Sequence, residues 1–488
     1  MSTAPQPASP PPAPPSVSQT QHANRIRQLI YAVGIVFLFG AMWPYSQKLQ
    51  EIKSETDLGE ATIGQIDTGS FMVKLAMIGG FRGIVANWLW TQSIELQKQH
   101  EWDKLMASVE MITKLQPHFL SIWTFQGWNL AYNVSVEWDS PDDKYTWIKK
   151  GINFLRDGVA KNRNKSDLIW DTAWTYYHKL GMADEAIILR RRFYDDPDDD
   201  PNHPNFKVDP IESEPRLDNF QVAGGWFTLA VRVVDAGGER TETGVEGEVE
   251  YVDRMPNRKG RPGDLNFRSM PAHAQTRYAA AMEKMSILDV EPMFGQAAQS
   301  AWGKALEEWV NFGRHPFPAH NNPDELIYVD DASNSARMLS KELSENQKYW
   351  TNRWADQMNY RYWKDRSLAE AEPQGTSARR LFYEGTVALK NADFGSAVEK
   401  YKNGLDLWKD LLERHPTYKD DELNQKDTGQ LVKRYVFALR QVGESPPDDM
   451  PFKDLYEEVK DESLLDPFDQ LDMMRVPPKQ DLKERTTP

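Results

Sequence analysis

The chain has 488 residues, no cysteine, and 58 Lys+Arg against 73 Asp+Glu, a formal charge of −15. So acidic a chain offers no basic field to a phosphate backbone, which disfavours nucleic acid as a partner. Without cysteine it has no disulfide, thiolate metal site, CxxC redox pair or cysteine nucleophile.

Residues Met1–Asn24 hold seven prolines and no acidic or basic side chain except His22, so 1–25 reads as an extended tail that buries no core. From Leu29 to Tyr45 the run LIYAVGIVFLFGAMWPY carries no charge, is flanked by Arg25, Arg27 and Lys48, and places Trp43 and Tyr45 where an interfacial belt belongs. It predicts one transmembrane helix within 26–46. No small-x-small cleavage site follows, which favours an uncleaved signal anchor over a signal peptide. Arg25 and Arg27 on one side tie with Lys48 and Lys53 on the other. The default for a first helix then puts the N-terminus in the cytoplasm and the bulk of a single-pass inner-membrane protein in the periplasm. A second apolar stretch, Phe71 to Trp90, contains Lys74, Arg82 and three glycines, and reads as a buried helix reached through a linker over 47–85 rather than as a second span.

Past this point the punctuation repeats, as expected for helical pairs that stack on copies of themselves. Counting back from Pro117 puts Leu89 and Leu96 in one helix and Trp102, Leu105, Val109 and Ile112 in the next. The following unit has Trp123, Gly127 and Leu130 in its first helix. Ser140, Pro141 and the acids after them open its second, which continues through Ile148, Ile152, Leu155 and Val159 on one face. A third unit opens at Ser166 with Trp170, Ala173, Trp174 and Tyr177, turns at Gly181 and runs on to Phe193. These repeats span 86–194. An acidic linker and a Gly-rich insertion over 195–265 surround one helix near Phe220–Asp235. Repeats resume over 266–445, with a loose copy from Met270 to Trp309, a long helix from about Ala332 to Ala371, and the best copy in Leu381, Glu384, Gly385, Phe394, Ala397, Tyr401 and Gly404. A last helix through Leu431 and Tyr435 stops at Gly443, and 446–488 reads as a C-terminal tail.

This layout resembles tetratricopeptide-repeat proteins. The stretches GGFRGIVANWLW, ITKLQPHFLSIWTFQGWNLAYNVSV and RYWKDRSLAEAEPQGTSARRLFYEG are similar to a group of membrane-anchored repeat proteins of planctomycete bacteria. The resemblance implies an all-α, irregular TPR-like solenoid of stacked helical hairpins with one N-terminal membrane anchor. It carries over no catalytic residue.

Signatures of chemistry are sparse. HExxH, G-x-S-x-G, G-x-x-x-x-G-K-[ST] and a strand-linked G-x-G-x-x-G are all missing, so no enzyme and no cofactor is expected. Asp196, Asp198 and Asp200 alternate like the start of a calcium loop, with His203 near. Pro201 stands where that loop needs glycine and Lys207 where it needs glutamate, so the run reads as a solvated linker and not a metal site. The histidines form no cluster.

The expected function is a scaffold that binds a protein or peptide in a concave groove, in assembly or organisation of the cell envelope. The competing reading is a glycan or peptidoglycan binder using exposed tryptophans. In stacked pairs the inner face takes the second, fifth, ninth and twelfth residues of each first helix. That rule selects Asn87, Trp90, Ile94 and Gln97; then Ser121, Thr124, Trp128 and Ala131 with Tyr132 adjacent; then Leu168, Asp171, Thr175 and His178. Amides, hydroxyls and tryptophans on this face suit a neutral or weakly polar extended segment. The same arithmetic packs Trp123 between repeats and turns Trp128 into the groove.

Overall fold

Helix follows helix through the described part of the chain, residues 82–196, 217–236, 262–284, 292–319, 322–330 and 343–460 of a computed structural model, and a single short hairpin of strands interrupts them there. The expected tail, the membrane anchor, most of the acidic run and the Gly-rich insertion lie outside the described residues, as does the chain past 460. Among the described residues no helix is long and apolar enough to cross a membrane. The chain from Arg82 onward forms one unit by itself, predominantly helical.

Helices α1 (Arg82–Lys98) and α2 (Trp102–Leu115) form the first pair, turning at His100, whose φ is +57°. Helix α3 (Leu120–Trp128) runs on into a wider π-helical segment, Asn129–Val134, and ends in a 3-10 turn, Ser135–Glu137. Helix α4 (Pro141–Lys161) starts with proline at its first position and Asp142 and Asp143 in its first turn, where the exposed amides and the dipole favour acids. Ser140 precedes it but its side chain makes no capping bond.

The α3–α4 contact is close because glycines face it. A Cβ on Gly158 would lie 2.8 Å from the Trp123 ring, and one on Gly127 would lie 2.4 Å from Leu155. Helix α5 (Ser166–Trp174) repeats the device of α3, passing into a π-helical segment, Thr175–Leu180, before α6 (Ala186–Asp195). Helix α7 (Asn219–Asp235) is set by a capping box between Asp218 and Gln221 and packs on α5 and on α8 (Pro262–Ala281). Trp123, Leu155, Leu168, Tyr177, Phe220 and Phe227 share one core across these helices.

After α9 (Gln296–Arg314), two departures from the sequence expectation appear. Strands β1 (Phe317–Ala319) and β2 (Asn322–Ile327) pair antiparallel with Phe317 opposite Ile327, where the all-α expectation holds no strand. Phe317, Ala319 and Ile327 turn into a core that holds Trp309 and Trp354, and that burial stabilises a hairpin too short to be marginally stable alone. The expected long helix to Ala371 is broken. Helix α10 (Glu345–Gln357) ends at Met358, Asn359 adopts the left-handed region at φ +47°, and α11 (Tyr360–Ala371) starts anew.

Helices α12 (Pro373–Lys390) and α13 (Phe394–Arg414) form the pair that carries the best repeat spacing. A Cβ on Gly404 would stand 2.7 Å from Phe382, and Ala397 is fully buried. Replacing Ala397 with leucine is therefore expected to lower stability by about 1–3 kcal/mol through overpacking. An unchanged midpoint in urea denaturation would show that this contact has room to spare. The turn α14 (Pro416–Lys419), α15 (Glu422–Gln441) and α16 (Lys453–Val459) complete the described chain, and Gly443 closes α15 at φ +81°.

A buried charged cluster ties α11, α12 and α14 together. Glu370 accepts from Arg379 through Nε at 3.1 Å and Nη2 at 2.5 Å, and from the Tyr418 hydroxyl at 2.8 Å. The Arg379 guanidinium lies 4.5 Å from the centre of the Trp408 ring. Beside this cluster the His415 imidazole is held between Asp365 at 2.8 Å and Glu372 at 2.9 Å. Asp196, in the acidic run, is likewise engaged. It accepts from the Tyr145 hydroxyl at 2.7 Å and pairs with Lys149 at 2.6 Å.

A candidate binding pocket between two π-helical turns

The two π-helical segments mark a site. Each follows a nine-residue helix that ends in tryptophan, Trp128 in α3 and Trp174 in α5. Each carries a ring four residues further on, Tyr132 and His178, which are 46 residues apart in sequence. A π-turn inserts one residue into the helical ladder and is often found where a helix serves a ligand. Here the rings four apart lie nearly parallel, Trp128 on Tyr132 at 5.9 Å and Trp174 on His178 at 5.0 Å. The two stacks join across the helices, since Tyr132 lies 5.9 Å from His178 and its hydroxyl is 3.2 Å from His178 Nδ1. Trp170 extends the row, stacking on Trp174 at 5.3 Å.

Above this row opens a cavity of about 370 Å³. Ser121, Thr124, Phe125 and Trp128 line it from α3, and Leu155 from α4. Asp171, Trp174 and Thr175 line it from α5 and the segment after it. Trp128 and Phe125 form its rim and are 46% and 40% exposed, whereas Trp123, five residues before Trp128, is 4% exposed and donates its indole N–H to the Pro117 carbonyl at 2.8 Å.

The polar content of the lining is narrow. The Thr124 hydroxyl lies 3.4 Å from the Leu120 carbonyl, and the Thr175 hydroxyl donates to the Asp171 carbonyl at 2.9 Å, both within their own helices. Asp171 is different: among the described residues its carboxyl has no hydrogen-bond or ion-pair partner, and burial pushes its pKa up to about 7. Tyr132 faces it, and its phenol is also raised, by burial first and then by the Asp171 charge. Burial and the neighbouring Lys179 lower His178, so it is a neutral ring near pH 7. Lys179 itself sits over the Tyr132 ring at 5.3 Å.

The structure brings together Thr124, Trp128, Asp171 and Thr175 at the cavity and Tyr132 and His178 beneath it. The remaining groove candidates are placed otherwise. Asn87 and Ile94 are exposed on α1 and do not line the cavity. Trp90 packs on the Phe125 ring at 5.1 Å, behind the rim. Gln97 does not line the cavity: its amide exchanges hydrogen bonds with Asn129, at 2.9 and 3.1 Å, within a partly buried amide cluster that also holds Asn133. Ala131 and Leu168, selected by the same count, are fully buried.

Phe125, Leu155 and Trp174 are the lining residues that the count misses. Counting the third unit from Asp167 sets its register one residue late relative to the unit at Leu120. The match of Trp128 with Trp174, and of Tyr132 with His178, gives the register the structure adopts. Among the described residues no group of acidic residues and histidines is placed to hold a metal ion. No protein-family model matches the chain, and no curated protein or solved structure matches it either.

Proposed function

We propose that the chain is a membrane-anchored, TPR-like scaffold that captures a segment of a partner protein, with Trp128 at the mouth of the capture site. The anchor is the uncharged run at 29–45, and the periplasm is the expected location of the body. The observation that carries this reading is the cavity itself, a largely apolar concave site with a single carboxyl, walled by α3 and α5 with Leu155 of α4 between them, both α3 and α5 passing into π-helical segments beside it. Sites of this kind bind by a few aromatic anchors, and tryptophan is among the residues whose loss most weakens an interface. No catalytic step is proposed, since the lining offers one carboxyl without a nucleophile or base paired to it.

The test separates two tryptophans. Trp128→Ala in the full chain is expected to leave the melting temperature nearly unchanged and to reduce recovery of co-purifying proteins after mild detergent at least tenfold. Trp123→Ala is expected to do the reverse, destabilising by about 3–5 kcal/mol because it empties a packed site against Gly158 and Phe154. Equal unfolding by both changes would sink the assignment. The exposed Trp128 and Phe125 rings also suit stacking on a sugar, so retention of the intact chain on cell-wall glycan, lost in Trp128→Ala, would favour the glycan reading instead.

A further inference from the structure

We infer that the cavity between α3 and α5 is a receptor for an alkylammonium group, in a protein partner the side chain of a lysine, with Asp171 as counter-charge and the rings of Trp128 and Trp174 around the stem. This rests on the reading of the site as one that captures a protein segment, and it names the chemistry of capture.

Three observations support it. First, the lining is electrically one-sided. Asp171 is its one ionisable residue, and no other charged side chain acts on that carboxyl enough to shift it, burial being the sole cause of its raised pKa. A carboxylate enclosed this way gains most from an opposite charge brought within a few ångströms. Second, aromatic faces present negative charge density, which repels a carboxylate left alone and attracts a cation set between them. Phe125, Trp128 and Trp174 supply three such rings around the one carboxyl. Third, the hydroxyls of Thr124 and Thr175 lie at carbonyls of their own helices. A sugar needs several donors and acceptors around its rim, whereas an ammonium on an aliphatic stem needs one strong acceptor, which Asp171 supplies, and an apolar sleeve, which Trp128 and Trp174 supply; the other polar groups of the lining are the hydroxyls of Ser121, Thr124 and Thr175.

The pH dependence follows from the groups that face the carboxyl. Tyr132 faces it from α3's extension and stays neutral at physiological pH. From α4 the wall is Leu155, and on α5's own extension His178 is a neutral ring. The empty cavity thus holds a carboxyl that is half ionised near pH 7. A cation must displace the proton below that pH, so binding is expected to be roughly tenfold weaker at pH 6 than at pH 8.

The experiment titrates the full chain, in detergent, with N-acetyl-lysine methylamide, with its side-chain trimethylated form and with the uncharged norleucine analogue, following tryptophan fluorescence and heat. The lysine probe should bind at least tenfold more tightly than norleucine, and Asp171→Asn should abolish that preference while keeping the wild-type melting temperature or raising it above pH 7. Equal binding of lysine and norleucine, or a preference that survives Asp171→Asn, overturns the inference, as does a chitooligosaccharide binding where the lysine probe does not. If Asp171→Asn fails to fold, Asp171→Glu with the same lysine-to-norleucine comparison serves in its place, and the pH 6 to 8 slope in the wild type decides independently. Loss of the lysine preference with Trp128-dependent partner capture intact would refute the ammonium site alone. A lysine preference without any captured protein would refute the scaffold instead.

Discussion

Replacing Glu370 with alanine is expected to destabilise the protein by about 3–5 kcal/mol, the loss typical of removing one member of a buried ion pair and leaving the other uncompensated. Glu370 is 1% exposed and is the acceptor for both Arg379 and the Tyr418 hydroxyl, so its removal leaves the buried guanidinium with the more distant Glu283 carboxylate at 3.9 Å and takes the acceptor from the Tyr418 hydroxyl. The pairing also has a pH signature. Burial alone would raise the Glu370 carboxyl, but the Arg379 charge and hydrogen bonds, with Arg366 near, hold it below the usual carboxylate range. A carboxyl with a depressed folded-state pKa contributes its stability above the ordinary carboxylate value and loses it as pH falls through the lower one. The gap between wild type and Glu370→Ala in urea denaturation should therefore be full at pH 7 and close on strong acidification. The double replacement of Glu370 by leucine and Arg379 by methionine should recover most of the loss, because an apolar pair of similar volume removes both charges together. A single-variant loss under about 1 kcal/mol at pH 7 would mean that the cluster is far better hydrated than its burial indicates.

Trp309→Ala is expected to lower stability by a comparable amount, about 3–5 kcal/mol. Trp309 is fully buried, donates its indole N–H to the Thr276 hydroxyl at 2.9 Å and stacks on Trp363 at 6.1 Å with the rings 2° from parallel. It thus joins α9 to α8 and α11, and its removal opens a cavity at the meeting of three helices and takes away the donor to the buried Thr276 hydroxyl, which keeps its own bond to the Ala272 carbonyl at 2.7 Å. Trp309→Phe keeps most of the volume and loses the hydrogen bond, so it should fall between the two, about 1–2 kcal/mol below wild type. Near-ultraviolet circular dichroism during thermal melting would follow the loss. A melting temperature unchanged in Trp309→Ala would show that α8, α9 and α11 do not share a core.

The helical class of the described chain was legible in the sequence because helix ends and close contacts leave local marks. Pro141 with two acids after it, Gly443 past the last apolar residue, and Gly404 beside Phe382 each express a physical demand that few other residues meet. The hairpin at Phe317–Ile327 left no such mark. Its strands are short, each contains a proline, Pro318 and Pro323, and they are held by what they pack against, not by their own alternation. Asn359 hides a helix break in the same way, since it lies within an apolar pattern that continues at helical spacing on both sides.

The site was half legible, because apolar spacing of 3.6 shows which residues share a helix face but not the residue at which each unit begins. Counting each unit from its own assumed start then gave the α3 face as the structure has it at Thr124 and Trp128. It drifted by one on α5, which kept Asp171 and Thr175 but passed over Trp174. Gln97 lies away from the cavity, since an amide on an inner face serves a neighbouring buried amide as well as it serves a ligand.

Phe125 and Asp171 occupy the same place in the two successive units, at the spacing that separates Tyr132 from His178. One wall of the cavity is therefore purely aromatic at the position where the opposite wall is acidic. Two identical walls would accept a guest in either of two directions related by their symmetry. Unlike walls remove that degeneracy: the polar end of whatever enters must point toward α5 and its hydrocarbon toward α3. If, as proposed, the guest belongs to a longer chain, that single inequality would set its heading along the helices, one pair of equivalent residues and not the length of the contact then fixing the direction of docking.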